Sequence, residues 1–284
     1  MPATLPGPAI VTHPVSSAGQ TFMEIAVAAT IVIALVAAVR IQRRWHTSMG
    51  FVLMAAALLA SGGEVVFNTA AQFWYYRPGA DALFTTWGRS LPTWALGSYV
   101  PFYAGLGMIG WFLLERGATR RQLAGYAVGV WAFAIITEVS LVGIRVYQYF
   151  GQQPYRIAHF PIWISAANAG ICTTFAVGGA AVSRVLRGRR QWLLVLVGPA
   201  VVSGYLLGTT FPVVIALHAD HPSTAALYLT GALATVIAAG VCAAVLQLVP
   251  ATGYADSLLP AREEQASAPT HRDQPTVPFS IVSS

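Results

Sequence analysis

Seven stretches of this 284-residue chain stay apolar for about 20 residues each, the length that carries a helix across the roughly 30 Å hydrocarbon core of a bilayer at 1.5 Å per residue. They lie near Phe22 to Val39, Met49 to Ala70, Trp94 to Leu114, Leu123 to Ile144, Ile162 to Val182, Trp192 to Thr210 and Ser223 to Leu248. Backbone immersed in lipid must satisfy its own N–H and C=O groups, so each run is read as a helix. The chain is therefore expected to be all-α: a polytopic integral membrane bundle of about seven transmembrane helices over residues 22–248. An extracytoplasmic N-terminal segment, 1–21, precedes it, and a disordered cytoplasmic tail, 249–284, follows. From Gly253 onward the tail mixes Pro, Ser, Thr, Glu and Asp without apolar periodicity, so it cannot bury enough surface to offset ordering. Charged residues make up 9% of the chain, against about 25% in soluble domains. That excludes a soluble enzyme or a nucleic-acid-binding module, and the net charge of +6 calls for a membrane explanation.

All 16 basic residues are arginines. Without lysine, no Schiff base and no phosphate-loop amine is available. Arg40, Arg43 and Arg44 follow the first run, Arg116, Arg120 and Arg121 the third, and Arg184, Arg187, Arg189 and Arg190 the fifth. With Arg262 and Arg272 of the tail these lie on one side, and Arg77, Arg89, Arg145 and Arg156 lie on the other. Cytoplasmic loops hold the positive charge, so the N-terminus is expected outside and the C-terminus inside the cell membrane. Trp45, Trp111 and Trp192 then mark the inner interface, and Trp74, Trp87, Trp94 and Trp163 the outer one. Met1 to Thr21 lacks the basic start and apolar core of a secretory signal, which leaves insertion to the first membrane helix. Cys172 and Cys242 sit inside apolar runs and read as small buried hydrophobes. Nothing in the sequence sets the oligomeric state.

The second and third runs with their loop resemble the fourth and fifth with theirs. Glu64 and Glu138 each stand 15 residues into a run that begins at the inner face, about 22 Å of travel. Glu64 is followed by Trp74, Tyr75 and Tyr76, and Glu138 by Tyr147 and Tyr149; Pro92 and Trp94 then answer Pro161 and Trp163. Both hairpins cross in one direction, which makes this a possible parallel repeat about an axis along the membrane normal. The sixth and seventh runs form a third hairpin that carries no glutamate. A buried acid costs about 2.5 kcal/mol or more at a membrane helix centre, so Glu64 and Glu138 must face protein or a wet cavity. Asn68 and Gln72 continue a polar stripe from Glu64 at one-turn spacing. Arg145 lies two turns beyond Glu138, which leaves Glu138 either a site residue or half of a buried ion pair fixing the loop.

The outer loops are dense in rings: Phe73, Trp74, Tyr75, Tyr76, Phe84, Trp87, Trp94, Tyr99, Phe102 and Tyr103 in the first, and Tyr147, Tyr149, Phe150, Tyr155, Phe160 and Trp163 in the second. About half fit an interfacial belt. The rest, beside two carboxyls, point to an apolar cavity whose ring faces stabilise a developing cation. The catalytic candidates are Glu64 and Glu138; Asn68, Trp74, Tyr76, Trp94, Tyr147, Tyr149 and Trp163 are expected against the substrate. His218, Asp220 and His221 read as polar turn residues before Pro222, His159 as a loop residue and Glu24 as interfacial. Gly105, Gly107, Gly110, Gly178 and Gly179 read as positions of close helix packing. No metal or cofactor site is expected.

There is no HExxH, no CxxC and no glycine-rich phosphate loop, and the four aspartates, Asp81, Asp220, Asp256 and Asp273, form no diphosphate and magnesium motif. Protonation remains available. A carboxylic acid in an apolar pocket can stay protonated at neutral pH and donate to an alkene or epoxide. Glu64 is then the acid and Glu138 the base or water positioner. The set Glu138, Tyr147, Tyr149, Gly151, Pro161 and Trp163, and more loosely Glu64, Trp74, Tyr76, Pro92 and Trp94, resembles the membrane-embedded carotenoid and terpenoid cyclases and hydratases over Glu64 to Trp163. The aspartate that such cyclases often repeat beside the glutamate is missing. The resemblance implies an integral membrane cyclase or hydratase, an isomerase or lyase, acting on a lipophilic isoprenoid. Competing readings are a small proton-coupled transporter or sensor, with the two glutamates as proton carriers, and a non-catalytic membrane subunit whose polar stripe meets a partner helix.

Overall fold

A computed structural model describes residues 16–75, 82–186 and 188–251. Among them are seven helices long and apolar enough to cross a membrane: α1 (Ser17–Trp45), α2 (Met49–Ala70), α3 (Thr93–Glu115), α4 (Arg120–Gly143), α5 (Ile162–Val185), α6 (Gly188–Thr209) and α7 (Thr224–Leu246). The all-α membrane architecture read from hydropathy is the one present. Where boundaries differ, capping accounts for the difference. The Ser16 hydroxyl accepts from the Gly19 amide at 3.2 Å, so α1 starts five residues before its apolar run. Thr119 and Gln122 close a capping box that starts α4 at Arg120. Past Thr209 the sixth run goes on as a short helix, Phe211–Leu217, with Pro212 in the first turn, where its missing N–H goes unneeded. The expected tail lies, from residue 252, outside the described residues, as do residues 1–15.

The bundle is built around α5, which packs on α3, α4 and α7 and buries most of its length. Its buried positions are largely small, among them Ala166, Ala167, Ala169, Gly170, Ala176 and Ala180, which lets neighbouring backbones approach. At Gly107 and Gly110 of α3 an added Cβ would stand 2.8 Å from the Phe175 Cβ and 2.6 Å from the Ala176 Cβ, so the close-packing expectation holds there. It does not hold at Gly105 and Gly179, where an added Cβ makes only ordinary contact, or at Gly178, which has open space.

The loops at the end of the bundle where α1 begins carry short strands that hydropathy did not indicate: β1 (Phe73–Tyr75), β2 (Ala82–Thr86), β3 (Arg89–Pro92), β4 (Tyr147–Tyr149), β5 (Arg156–Ile157) and β6 (Phe160–Pro161). β2 pairs with β3 and β5 with β6, each antiparallel within its own loop. β1 and β4 pair across the two loops, with Phe73 opposite Tyr149, Trp74 opposite Gln148 and Tyr75 opposite Tyr147. If Glu64 and Glu138 are equivalent, Phe73 corresponds to Tyr147 and Tyr75 to Tyr149. Each then faces the other's counterpart, which is the pattern of a local two-fold axis passing between Trp74 and Gln148. The opposite end of the bundle bears the arginine-rich turns; there Arg120 donates to the Val249 carbonyl at 2.9 Å, and Arg184 pairs with Glu115 at 3.0 Å.

Of the tryptophans placed at the interfaces by sequence, three are buried within the protein: Trp94, Trp111 and Trp163. Trp87 and Trp192 are exposed.

Candidate functional site

Glu64 enters the interior because α2 tightens into a 3₁₀ turn at Ser61–Gly63 just before it. Its carboxylate is surrounded by donors. The Tyr75 hydroxyl of β1 donates to Oε1 at 2.5 Å, and the Tyr99 hydroxyl of α3 donates to Oε2 at 2.5 Å. With its amide nitrogen turned to Glu64, Asn68 adds a third bond to Oε1 at 3.0 Å. Both oxygens are thus held as acceptors.

Glu138, one turn and a half from the end of α4, is provided for differently. The Tyr147 hydroxyl donates to its Oε2 at 2.5 Å, and that of Tyr149 reaches the same atom at 3.4 Å, close to the limit of a useful bond. Among the described residues, Oε1 has no hydrogen-bond partner. No ion pair joins Glu138 to Arg145, which is exposed and holds a left-handed φ of 59° at the start of the loop. The ion-pair reading of Glu138 is therefore set aside. Tyrosines, which an i to i+7 search for charge cannot find, take the place of the arginine.

Both carboxyls line one cavity of about 390 Å³. Its walls are mostly apolar and aromatic, and no arginine or histidine is among its lining residues. Phe73 sits at the centre of the ring cluster, with centroids 4.8 Å from Tyr75, 4.6 Å from Tyr147 and 5.0 Å from Tyr149. Trp94 stands edge-on to Tyr75 at 5.4 Å. In α3 a π-helical turn at Val100–Gly105, holding Pro101, directly follows Tyr99, which donates to Glu64, and contains Tyr103, which donates to Asn168 Oδ1 of α5 at 2.8 Å. Turns of this kind recur at functional sites.

Of the residues expected against a substrate, Asn68, Trp94, Tyr147, Tyr149 and Trp163 line this cavity together with Glu64 and Glu138. Trp74 does not. Strand side chains alternate in direction, so while Phe73 and Tyr75 face the cavity, Trp74 turns outward, edge-on to Phe150, with the Arg89 guanidinium 3.5 Å above its ring. Tyr76 lies outside the described residues. Gln72 also leaves the expected stripe: its amide donates to the Leu217 carbonyl at 2.7 Å and ties the loop to the end of the short helix after α6. The residues missed were Tyr75 and Tyr99 as carboxylate donors, and Asn168. Tyr75 stands 11 residues after Glu64, as Tyr149 stands 11 after Glu138, a spacing already visible in the repeat.

Burial, and then the nearby carboxyls, push the Tyr75, Tyr147 and Tyr149 hydroxyls well above the usual phenol value of 10.0. They remain donors throughout the physiological range. Among the described residues no three His, Cys, Asp or Glu side chains gather into a metal site. The His218 ring lies 3.1 Å from the carbonyl oxygens of Thr69 and Ala70. Comparison with protein-family models, curated proteins and solved structures finds no match.

Proposed function

We propose that this protein is an intramembrane acid–base catalyst that protonates a lipophilic isoprenoid and so cyclises or hydrates it. The observation that carries the reading is the pair of carboxyls on one apolar cavity with unequal hydrogen-bond provision. Two carboxylates in one apolar site cannot both be ionised cheaply, so the pair holds a proton. Glu64, with three donors on it, is the carboxylate. Glu138, with Oε1 unengaged, carries the proton and points it into the cavity. These roles reverse those expected from the sequence alone.

In this scheme the Glu138 O–H bond breaks and its proton adds to an alkene carbon or epoxide oxygen of the substrate, leaving Glu138 as carboxylate. The cation that develops is flanked by the faces of Phe73, Tyr147, Tyr149 and Trp163, each of which stabilises positive charge by its quadrupole. Ring closure followed by loss of a proton to Glu64 gives a cyclic alkene; capture of water, with its proton passing to Glu64, gives a hydrate. The cycle closes when the proton returns from Glu64 to Glu138, so an isomerisation consumes none.

The test is to express the chain in a host that makes linear polyprenyl compounds and profile the lipid extract by mass spectrometry. A new isomer or hydrate is expected, and it should disappear in Glu138→Gln. An unchanged extract, with proton uptake by reconstituted vesicles, would replace this reading with a transporter.

The arginine distribution supports placing the strand-bearing end outside the cell. A cysteine at Trp87 should then react with a membrane-impermeant maleimide on intact cells, and one at Thr119 should not. The opposite pattern inverts the topology.

A further inference from the structure

Among the residues lining the cavity, only Phe22 and Thr30 of α1 and Phe133 of α4 are themselves exposed, Phe22 by 57% and Phe133 by 48%. A side chain that both lines a cavity and faces the surroundings stands at its mouth. Ala26 of α1, Phe102 of α3 and Thr137 of α4, each half-buried, complete the rim, and Phe102 stacks on Phe133 with centroids 6.4 Å apart. The helix packing explains the gap. α1 packs along α2 and α3, and α4 packs along α5, but α1 and α4 do not pack along one another.

The mouth is closed toward water. At Gly19 an added Cβ would lie 2.9 Å from the Ile144 carbonyl and 3.0 Å from Val146, so α1 is pressed against the chain leaving α4 at the strand-bearing end. There β1 and β4 turn Phe73, Tyr75, Tyr147 and Tyr149 inward as a roof. Below that roof the opening descends. Phe133 is ten residues from the end of α4, about 15 Å, and Thr30 is thirteen from the start of α1, about 20 Å, which brings the lower rim near the middle of a 30 Å hydrocarbon core.

We infer that the cavity is loaded sideways from the bilayer, through an opening between α1 and α4 rimmed by Phe22, Thr30, Phe102 and Phe133, and that it takes one end of a long hydrocarbon chain whose remainder stays in lipid. Size supports the second part. At about 30 Å³ per small heavy-atom group, the share of one water molecule, 390 Å³ holds about 13 such groups. Any longer linear chain must project through the mouth, and the surroundings there are hydrocarbon. The inference deepens the catalytic reading by naming a substrate class, a long-chain lipophile that reacts at its terminus, and it rests on that reading only for the word substrate.

The probe is a saturated twenty-carbon isoprenoid alcohol carrying a diazirine at either the hydroxyl end or the tail, added to the full-length protein in lipid nanodiscs and mapped after illumination. Being saturated, it reports entry without chemistry. One diazirine position should label cavity residues such as Tyr147 and Trp163, and the other the outward faces of α1 and α4. In Thr30→Trp, cavity labelling should fall by about tenfold or more because the added ring overpacks the mouth. Ile33→Trp, on the lipid face of the same helix, should leave it unchanged and so controls for folding and insertion. Labelling of the cavity that survives Thr30→Trp, entry marks on the β2–β3 loop instead of α1 and α4, or no cavity labelling at all would each overturn the portal. The two readings fail separately. Normal product formation in Glu138→Gln removes the acid and leaves the portal intact, whereas glutamate-dependent product with loop-side labelling removes the portal and leaves the acid.

Discussion

At the scale of single residues, what distinguishes the two glutamates is the number and length of the hydrogen bonds they accept. Removing a donor from a buried, uncharged acceptor costs about 1–3 kcal/mol, whereas a stretched contact contributes little. At Glu138, therefore, Tyr147→Phe is expected to lower stability within that range and Tyr149→Phe by less than about 1 kcal/mol. Denaturant unfolding in micelles measures both; equal losses would mean that the 2.5 and 3.4 Å contacts are not distinct in solution. Tyr75, Tyr147 and Tyr149 also give a pH dependence of definite sign. Their folded values lie above the unfolded 10.0, so the native state binds more protons in alkali. Stability from these groups is fully present below pH 10.0 and is lost as the pH rises through their folded values. The groups facing them are Glu64, Glu138, Tyr99 and Tyr103. Absorbance titration of the folded protein should show these phenols silent until unfolding, and a normal phenolate transition from every tyrosine would contradict it.

At the scale of elements, the β1–β4 pair converts two loops into one roof, and Arg89 of β3 secures it. Its guanidinium is buried, lies over Trp74 and donates to the Phe73 carbonyl, and burial pulls its value down to about 10, so it stays cationic at neutral pH. Arg89→Ala loses a desolvated cation–π contact of about 2 kcal/mol and a charged hydrogen bond besides, so the thermal midpoint in micelles should fall and Tyr75 should loosen from Glu64. Arg89→Lys should not restore it, because an ammonium lacks the planar fork that stacks on a ring and bonds a carbonyl together. Full rescue by lysine would reduce Arg89 to a mere charge. How much of this was legible beforehand depends on period. Apolar runs of 20 residues announce helices, and all seven were read from them. Two three-residue strands announce nothing by length, yet Tyr147 and Tyr149, spaced by two, already share a face. The same rule applied to the first loop selects Phe73 and Tyr75 rather than Trp74 and Tyr76, so the miss was one of parity. What no single-chain pattern contains is the pairing of β1 with β4, or that Tyr99 and Glu64, 35 residues apart, would meet.

At the scale of the whole molecule, α3 packs on α5 chiefly through Leu106–Glu115, toward the arginine-bearing end, while its Thr93–Tyr99 part packs on α1 and α2 beside the cavity. Below the cavity the interior is filled: Met108, Trp111 and Leu114 of α3 pack with Ile171, Cys172 and Val177 of α5 and with Leu123 of α4, all fully or nearly buried. Helices in lipid gain no hydrophobic driving force from meeting, so close backbone approach supplies the packing energy. Gly110 is where that approach is tightest, with an added Cβ 2.6 Å from Ala176 and 2.9 Å from the Tyr126 ring. Gly110→Val should then push α3 from both α5 and α4, at an overpacking cost of about 1–3 kcal/mol. Because Tyr99 and Tyr103 ride on the same helix, the displacement should reach Glu64, so product formation should fall along with stability. Gly178→Ala, where nothing lies within 4 Å, should stay within about 0.5 kcal/mol of the parent. Reversible unfolding in mixed micelles, with product measured on the folded fraction, separates the two effects. If Gly110→Val proved as stable as Gly178→Ala, the α3–α5 contact would not be what holds α3 in place.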